Sequence, residues 1–230
     1  MLKSEVISLQ VDEIKKRINE AAERSGQDSD RVQIIAVTKF VGPERIGEAV
    51  GAGINILGEN RVQEFIKKYP LVEGPVQWHL IGSLQTNKVK SVIDKVELIH
   101  SLDRDSLALE ISRQAQRFGR PVKALVQVNV SGESTKRGLA TDELFPFIKK
   151  VTQLDGLLIK GLMTIAPLGD PESIRPVFRT LRHLYENLAE KDLPGVQMEY
   201  LSMGMTNDFE IAVEEGANLI RIGTGIFGGR

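Results

Sequence analysis

Eight short apolar runs alternate with helical patterns along the whole chain, and this alternation constrains the fold more than any other feature. The runs fall at 34–39, 54–57, 76–81, 96–100, 122–130, 157–165, 196–201 and 218–222. Near-continuous Val, Ile and Leu mark strands covered on both faces, as in a parallel sheet wrapped by helices. Between them lie helical spacings near 43–50, 62–66, 103–118, from 141, across 172–191 and around 208–215, with a helical stretch from Asn87. A further amphipathic helix is predicted over 5–24, where Leu9, Ile14, Ile18 and Ala21 recur among charges and Gly26 ends the run. With 230 residues, short loops and no composition break, the chain reads as one α/β domain over 1–230. That domain is a single (β/α)8 TIM barrel with an extra N-terminal helix. A doubly wound open sheet is the alternative, since a count of eight does not prove closure.

Composition narrows the chemistry. With 41% hydrophobic and 27% charged residues, the chain belongs with ordinary folded soluble proteins rather than disordered ones. A net charge of −1 supplies no global field for nucleic acid or an anionic membrane. The absence of cysteine excludes disulfides, thiol catalysis and thiolate metal sites, and agrees with a cytoplasmic location. His79, His100 and His183 lack metal-ligand spacing, so no metal is expected. The start, Met1 to Glu5, carries no long apolar run, so neither a signal peptide nor a membrane span is expected.

A barrel of this kind does its chemistry at the C-terminal ends of its strands, often with phosphate held after strands seven and eight. Lys39 ends the first strand, in phase with Ile35 and Val37. It is either a strand-end lysine reaching water or an amine held near something it reacts with. Strand seven runs out in Ser202-Met203-Gly204-Met205-Thr206, and strand eight in Arg221-Ile222-Gly223-Thr224-Gly225. Such stretches offer hydroxyls and backbone amides to an anion, or only make tight turns. Arg221, between Ile220 and Ile222, is costly to bury without a partner. That partner is an internal carboxylate such as Glu59 or an acceptor on a ligand. A reactive lysine, a phosphate cradle and a buried arginine together meet the needs of pyridoxal 5′-phosphate.

Several motifs now carry a resemblance. Val37-Thr38-Lys39, Gly58-Glu59-Asn60 with Gln63-Glu64, Trp78-His79-Leu80-Ile81-Gly82, Leu84-Gln85-Thr86-Asn87-Lys88, Gly161-Leu162-Met163, Ser202-Met203-Gly204-Met205 and Arg221-Ile222-Gly223-Thr224 follow one another along the chain. In this it closely resembles the pyridoxal phosphate homeostasis protein family, which is similar to the N-terminal barrel of alanine racemase. The resemblance implies a fold-type-III-like barrel lacking the C-terminal β domain. It implies Lys39 as the Schiff-base lysine, Arg221, Gly223 and Thr224 at the pyridine-nitrogen and phosphate positions, and Ser202 at the phosphate. Arg61 stands where many members have tyrosine, and Thr206 where many have serine.

What the resemblance implies functionally is storage and delivery of the cofactor in intracellular homeostasis, with effects on amino-acid and keto-acid balance. Apo cofactor-dependent enzymes would be the recipients, and the carrier a monomer. The residues say something compatible. A racemase needs acid–base groups on both faces of the substrate α-carbon. One of these comes, in alanine racemase, from a tyrosine of a β domain for which no sequence follows Phe227-Gly228-Gly229-Arg230. Tyr69 and Tyr185 fall in helical stretches and Tyr200 inside strand seven. Arginine at the pyridine nitrogen donates a hydrogen bond and leaves that nitrogen unprotonated, a weaker electron sink. The expectation is a cofactor-holding protein with no catalytic residue and little or no turnover; a cofactor-dependent racemase is the alternative.

The remaining residues keep two readings each. Asn60 is an N-cap or a ligand to the cofactor's ring oxygen. His79, in phase with Gln77 and Ile81, is a satisfied core histidine or a catalytic one. Lys136-Arg137 is a solvated pair on a mobile loop or a contact for an anionic visitor. Met163, Met203 and Met205 suit packing at the barrel mouth.

Overall fold

The computed structural model describes residues 3–229, with side chains from Glu5 onward; Met1, Leu2 and Arg230 of the terminal stretches read above lie outside the described residues. The apolar runs form β1 (Gln33–Val37), β2 (Ile56–Glu59), β3 (Gln77–Leu80), β4 (Leu98–Leu102), β5 (Val122–Gln127), β6 (Leu157–Met163), β7 (Val196–Met205) and β8 (Leu219–Ile222). All pair in parallel with their sequence neighbours. β1 also pairs with β8, so Ile35 stands opposite Ile56 on one side and Arg221 on the other. The barrel is closed, and the open-sheet alternative is overturned.

Strand parity divides the interior from the outer layer. Ile35, Ile56, Leu98, Leu125, Met163 and Leu219 meet inside the barrel, with Val37 and Tyr200 packed against them. The alternate residues, among them Ala36, Leu57, Trp78, Leu80, Ile220 and Ile222, face the helices. Gly58 permits the inner packing: a Cβ there would lie 2.7 Å from Ile35 Cγ2. Truncating one of these buried Leu or Ile residues to Ala costs about 2–5 kcal/mol, through lost transfer energy and the cavity left behind.

The helices are α1 (Lys3–Ser25), α2 (Pro43–Gly51), α3 (Val62–Lys68), α4 (Asp105–Phe118), α5 (Leu144–Val151), α6 (Pro171–Ala189), α7 (Phe209–Glu214) and α8 (Thr224–Phe227). Pro43 at the start of α2 loses no helical hydrogen bond there, and Gly119 closes α4 with φ +78°. α1 lies across α2, α7 and α8, where Arg17 pairs with Glu210 at 2.9 Å.

Several boundaries differ from the sequence reading. β1 ends at Val37, so Lys39 lies in the turn two residues past the strand rather than at its end. β2 is shifted to 56–59, β5 and β6 stop at Gln127 and Met163, and α5 begins at Leu144. The stretch expected from Asn87 is a 3-10 helix over Thr86–Ser91. β4 begins and ends two residues later than expected, which brings His100 well inside it. β7 runs four residues further, through Ser202 to Met205, because Gly204 lets the strand end close on α7. Gly204 has φ +89°, and a Cβ on it would stand 2.6 Å from that of Ala212.

Candidate functional site

Lys39, Arg221, Gly223 and Thr224 line one cavity of about 450 Å³ at the C-terminal end of the barrel. Val37, Arg45, Leu168, Thr206 and Asp208 complete much of its wall. The volume is in the range of small-ligand pockets. Lys39 is half-buried, and among the described residues its amine has no hydrogen bond and no carboxylate partner; it lies 5.7 Å from the Phe40 ring. The Arg61 guanidinium lies over the same ring at 5.7 Å. Asn60 and Ser202 do not line the cavity.

Ser202 belongs to a polar layer beneath the cavity floor. Parity turns Arg221 into the barrel, since Ile220 and Ile222 face the helices. Its Nη1 donates to Ser202 Oγ at 2.6 Å and its Nη2 to the Thr164 carbonyl at 2.8 Å. Ser202 Oγ also lies 3.1 Å from His100 Nδ1, and His100 Nε2 lies 3.0 Å from His79 Nδ1. Burial lowers the Arg221 pKa to about 10, against the pull of nearby Asp208, so the side chain remains a cation at neutral pH. Burial, and then the Lys123 charge, take His79 down to about 3; burial takes His100 well below its ordinary value, with His79 and Arg221 further opposing its protonation. Both imidazoles are neutral. The satisfied core histidine read at His79 is what the structure has, and it is one of a pair.

Glu59 is not the partner of Arg221, which corrects the internal-carboxylate alternative. It shares parity with Leu57 and so faces α3 on the outer side of the sheet. There its Oε1 accepts from Lys68 Nζ and from Thr38 Oγ1, both at 2.7 Å. Lys68 also donates to Glu64 Oε1 at 2.6 Å and to the Thr38 carbonyl at 2.7 Å. Glu64 in turn accepts the Phe40 N–H at 2.6 Å. Burial pushes the Glu64 carboxyl up, but the bonds from Lys68 and Phe40 outweigh it and hold the group below its usual range. Phe40 has φ +63°, a left-handed conformation that costs a non-glycine residue on the order of 1–3 kcal/mol.

Asn60 is not the N-cap of α3. Arg61 holds that position without a side-chain cap, and Asn60 Oδ1 is buried with no hydrogen-bond partner. Lys136 lies near Glu133 at 3.7 Å and its amine reaches the Ile165 carbonyl at 3.4 Å; its side chain is half-buried, whereas Arg137 is exposed. Met163 and Met203 are fully buried, one inside the barrel and one against the helices, whereas Met205 lines the cavity.

The sequence reading missed His100, Thr164, Asp208 and the pairing of Glu64 with Lys68. His100 shares parity with Leu98, and Glu64 and Lys68 are four apart on one helix face, so both had a signal. Asp208 lines the cavity nearly buried, and burial raises its pKa despite the Met205 N–H and the Arg221 charge. Nothing in its local sequence marks it. No group of three or more His, Cys, Asp or Glu side chains among the described residues could hold a metal ion.

Comparison with known proteins follows the same lines. The family described as "Alanine racemase, N-terminal domain" matches residues 9–230. A pyridoxal phosphate homeostasis protein of Aquifex aeolicus is 45% identical over 217 residues, covering 94% of each chain. PipY of Synechococcus elongatus, solved with pyridoxal phosphate bound, superposes with a TM-score of 0.80 at 35% identity. That match covers 92% of this chain and all of PipY. An alanine racemase of Clostridium difficile shares the fold, with a TM-score of 0.74 at 14% identity, over 98% of this chain and 56% of its own. With both the barrel and the identities in agreement, this chain belongs to the pyridoxal phosphate homeostasis protein family, within the wider family of alanine racemase N-terminal barrels.

Proposed function

We propose that this protein binds pyridoxal 5′-phosphate in the cavity at the strand ends, holds it on Lys39, and serves its storage and delivery within the cytoplasm. The observation that carries the reading is the convergence of Lys39, Arg221, Gly223 and Thr224 on one cavity of suitable size. The donor set suits the group. The Lys39 amine has no competing carboxylate, the cation of Arg221 faces the cavity, and Thr224 with Thr206 offers hydroxyls to an anion. Asn60 does not line the cavity; the resemblance alone offers its buried, unpartnered Oδ1 to a ligand hydroxyl. When bound, the cofactor supplies an aldehyde that condenses with a primary amine, and a ring that accepts electron density. Lys39 provides the amine. Arg221, fixed by Ser202 and Thr164, presents a hydrogen-bond donor that does not give up its proton.

The same site supports holding rather than turnover. Among the described residues, the titratable side chains lining the cavity are Lys39, Arg45, Asp208 and Arg221. No tyrosine or histidine joins them: Tyr200 packs inside the barrel and the Tyr185 hydroxyl is spent on the Met198 carbonyl. A monomeric carrier that delivers to apo cofactor-dependent enzymes follows from this reading, and no helix among the described residues is long and apolar enough to cross a membrane. Absorption spectra of the purified protein before and after borohydride, followed by peptide mapping, test it. The expected result is a yellow protein with the label on Lys39. Label on another lysine, with Lys39→Ala still fully coloured, overturns it.

A further inference from the structure

Two hydrogen bonds from one ion cluster grip the chain on either side of Lys39. On the N-terminal side, the Thr38 carbonyl accepts from Lys68 Nζ at 2.7 Å. On the C-terminal side, the Phe40 N–H donates to Glu64 Oε1 at 2.6 Å, and that same oxygen takes a bond from Lys68 at 2.6 Å. The third bond of the ammonium goes to Glu59 Oε1 at 2.7 Å, so its three donors are all used. Glu59 closes the set by accepting from the Thr38 hydroxyl and, through Oε2, from the Asn60 N–H at 3.2 Å. All of this is built from α3 and β2, which hold Lys68 and the carboxylates rigidly while the gripped segment, residues 38–40, has left β1.

We propose that Lys68, acting with Glu64 and Glu59, is the positioning residue for Lys39: the cluster holds the left-handed turn at Phe40 and thereby aims the Lys39 side chain into the cavity. The proposal rests on Lys39 being the residue that takes the cofactor. Lys68 and Glu59 are both nearly inaccessible, and a buried ion cluster is weak as a source of stability compared with apolar packing. What it does provide is direction, because two of its bonds to the gripped segment end on the backbone on either side of Lys39. A purely stabilising cluster would have no need to spend its bonds there. The conformation at Phe40 points the same way, since a non-glycine residue stays in that region only where its surroundings over-determine it.

The test uses the full chain in four forms: Glu64→Ala, Glu64→Asp, Lys68→Met, and Lys68→Met/Glu59→Gln, the last removing the unpaired carboxylate that could prevent folding. The first readout needs no cofactor. Amide hydrogen exchange at Phe40 in the apoprotein is expected to rise about tenfold or more, the loss of one charge-assisted hydrogen bond, while the β5 amide of Leu125 keeps its protection. The second readout is cofactor affinity, together with the share of borohydride-trapped pyridoxal phosphate found on Lys39. Affinity is expected to fall about tenfold to a hundredfold and the trapping to spread to other lysines. Rescue of both readouts by Glu64→Asp, and not by Glu64→Ala, supports positioning by the carboxylate. If a folded Glu64→Ala protein keeps wild-type exchange at Phe40 and wild-type trapping on Lys39, the proposal is overturned. If exchange at Phe40 rises but the wild-type protein traps its label elsewhere, the assignment of Lys39 fails and the aiming role falls with it, while the grip on Phe40 stands.

Discussion

Ser202 Oγ accepts a 2.6 Å hydrogen bond from Arg221 Nη1, and this one bond ties the floor of the cavity to the histidine pair below it. Ser202 is wholly buried and Thr224 is exposed on the cavity wall, so the two hydroxyls differ in what their loss should do. Removing the first strands a buried guanidinium N–H, at about 1–3 kcal/mol, whereas removing the second strands nothing. Ser202→Ala is therefore expected to lower the unfolding free energy of the apoprotein by that amount. Thr224→Val should leave it unchanged but weaken cofactor retention about tenfold, the loss of a charge-assisted bond to phosphate. Denaturant titration and dialysis followed by absorption separate the two. Wild-type retention in the double variant would place the phosphate elsewhere.

The histidine pair makes a prediction about pH. Burial holds His79 near 3 and His100 well below its ordinary value, so the folded protein leaves both unprotonated where the unfolded chain, at about 6.5, binds protons. More protons on the unfolded chain means stability that rises with pH through that window and is lost as pH falls below 6.5. Carboxylates held low, such as Glu64, lose their contribution only below about 4.5, and Asp208, held high by burial, is common to wild type and variant, so the difference in slope between the two over about pH 4.5–6.5 reports the histidine removed. Each should contribute a slope of up to about 1.4 kcal/mol per pH unit. Urea unfolding across pH 4.5–6.5 should show His79→Gln with a shallower slope than wild type. Equal slopes would mean that His79 titrates normally in the folded protein.

Asn60 gives a cleaner separation of binding from stability. A buried Oδ1 without a partner costs free energy in the apoprotein, so its removal should not destabilise. Asn60→Ser is expected to leave the unfolding midpoint unchanged or slightly raised, yet to weaken cofactor binding about tenfold if the amide meets a ring oxygen. A large loss of apoprotein stability would instead show that the side chain is structural.

How much of this was legible in the sequence depends on which periodicity is at work. The barrel was legible because eight doubly covered strands leave long apolar runs, and Arg221, Gly223 and Thr224 follow from their places at the end of the eighth. Lys39 was read as ending the first strand, whereas β1 stops at Val37 and Lys39 lies in the turn beyond it. Glu59, one of two alternatives offered as a partner for Arg221, could have been excluded by parity alone: Leu57 faces the helices, and Glu59, two residues on, faces them too. His100 was hidden by an expected end of the fourth strand at that residue, whereas β4 continues to Leu102 and holds it inside. The grip on Phe40 was not legible. It joins residues 24 and 30 positions apart through backbone atoms, whose hydrogen bonds carry no residue signature.

The last prediction concerns what Arg221 does to chemistry. Its guanidinium is nearly buried, faces the cavity, and remains protonated at neutral pH because even its lowered value is about 10. With such a donor at the pyridine nitrogen, the ring stays a weak acceptor for electrons from a deprotonated substrate carbon. A carboxylate there favours the protonated nitrogen and a stronger sink. Arg221→Glu is accordingly expected to exchange the α-hydrogen of added amino acids at least about tenfold faster than wild type, per bound cofactor. The substitution has a cost that the structure makes plain, since the new carboxylate would approach Asp208 and abandon the Thr164 carbonyl. Pairing it with Asp208→Asn relieves the like-charge contact and keeps the comparison open if the single variant loses its cofactor. Deuterium uptake at the α-carbon in heavy water, with occupancy measured on the same sample, gives the rate. Wild-type exchange as fast as that of a well-occupied variant would mean that arginine is not what restrains the bound cofactor, and the carrier reading would lose its main physical support.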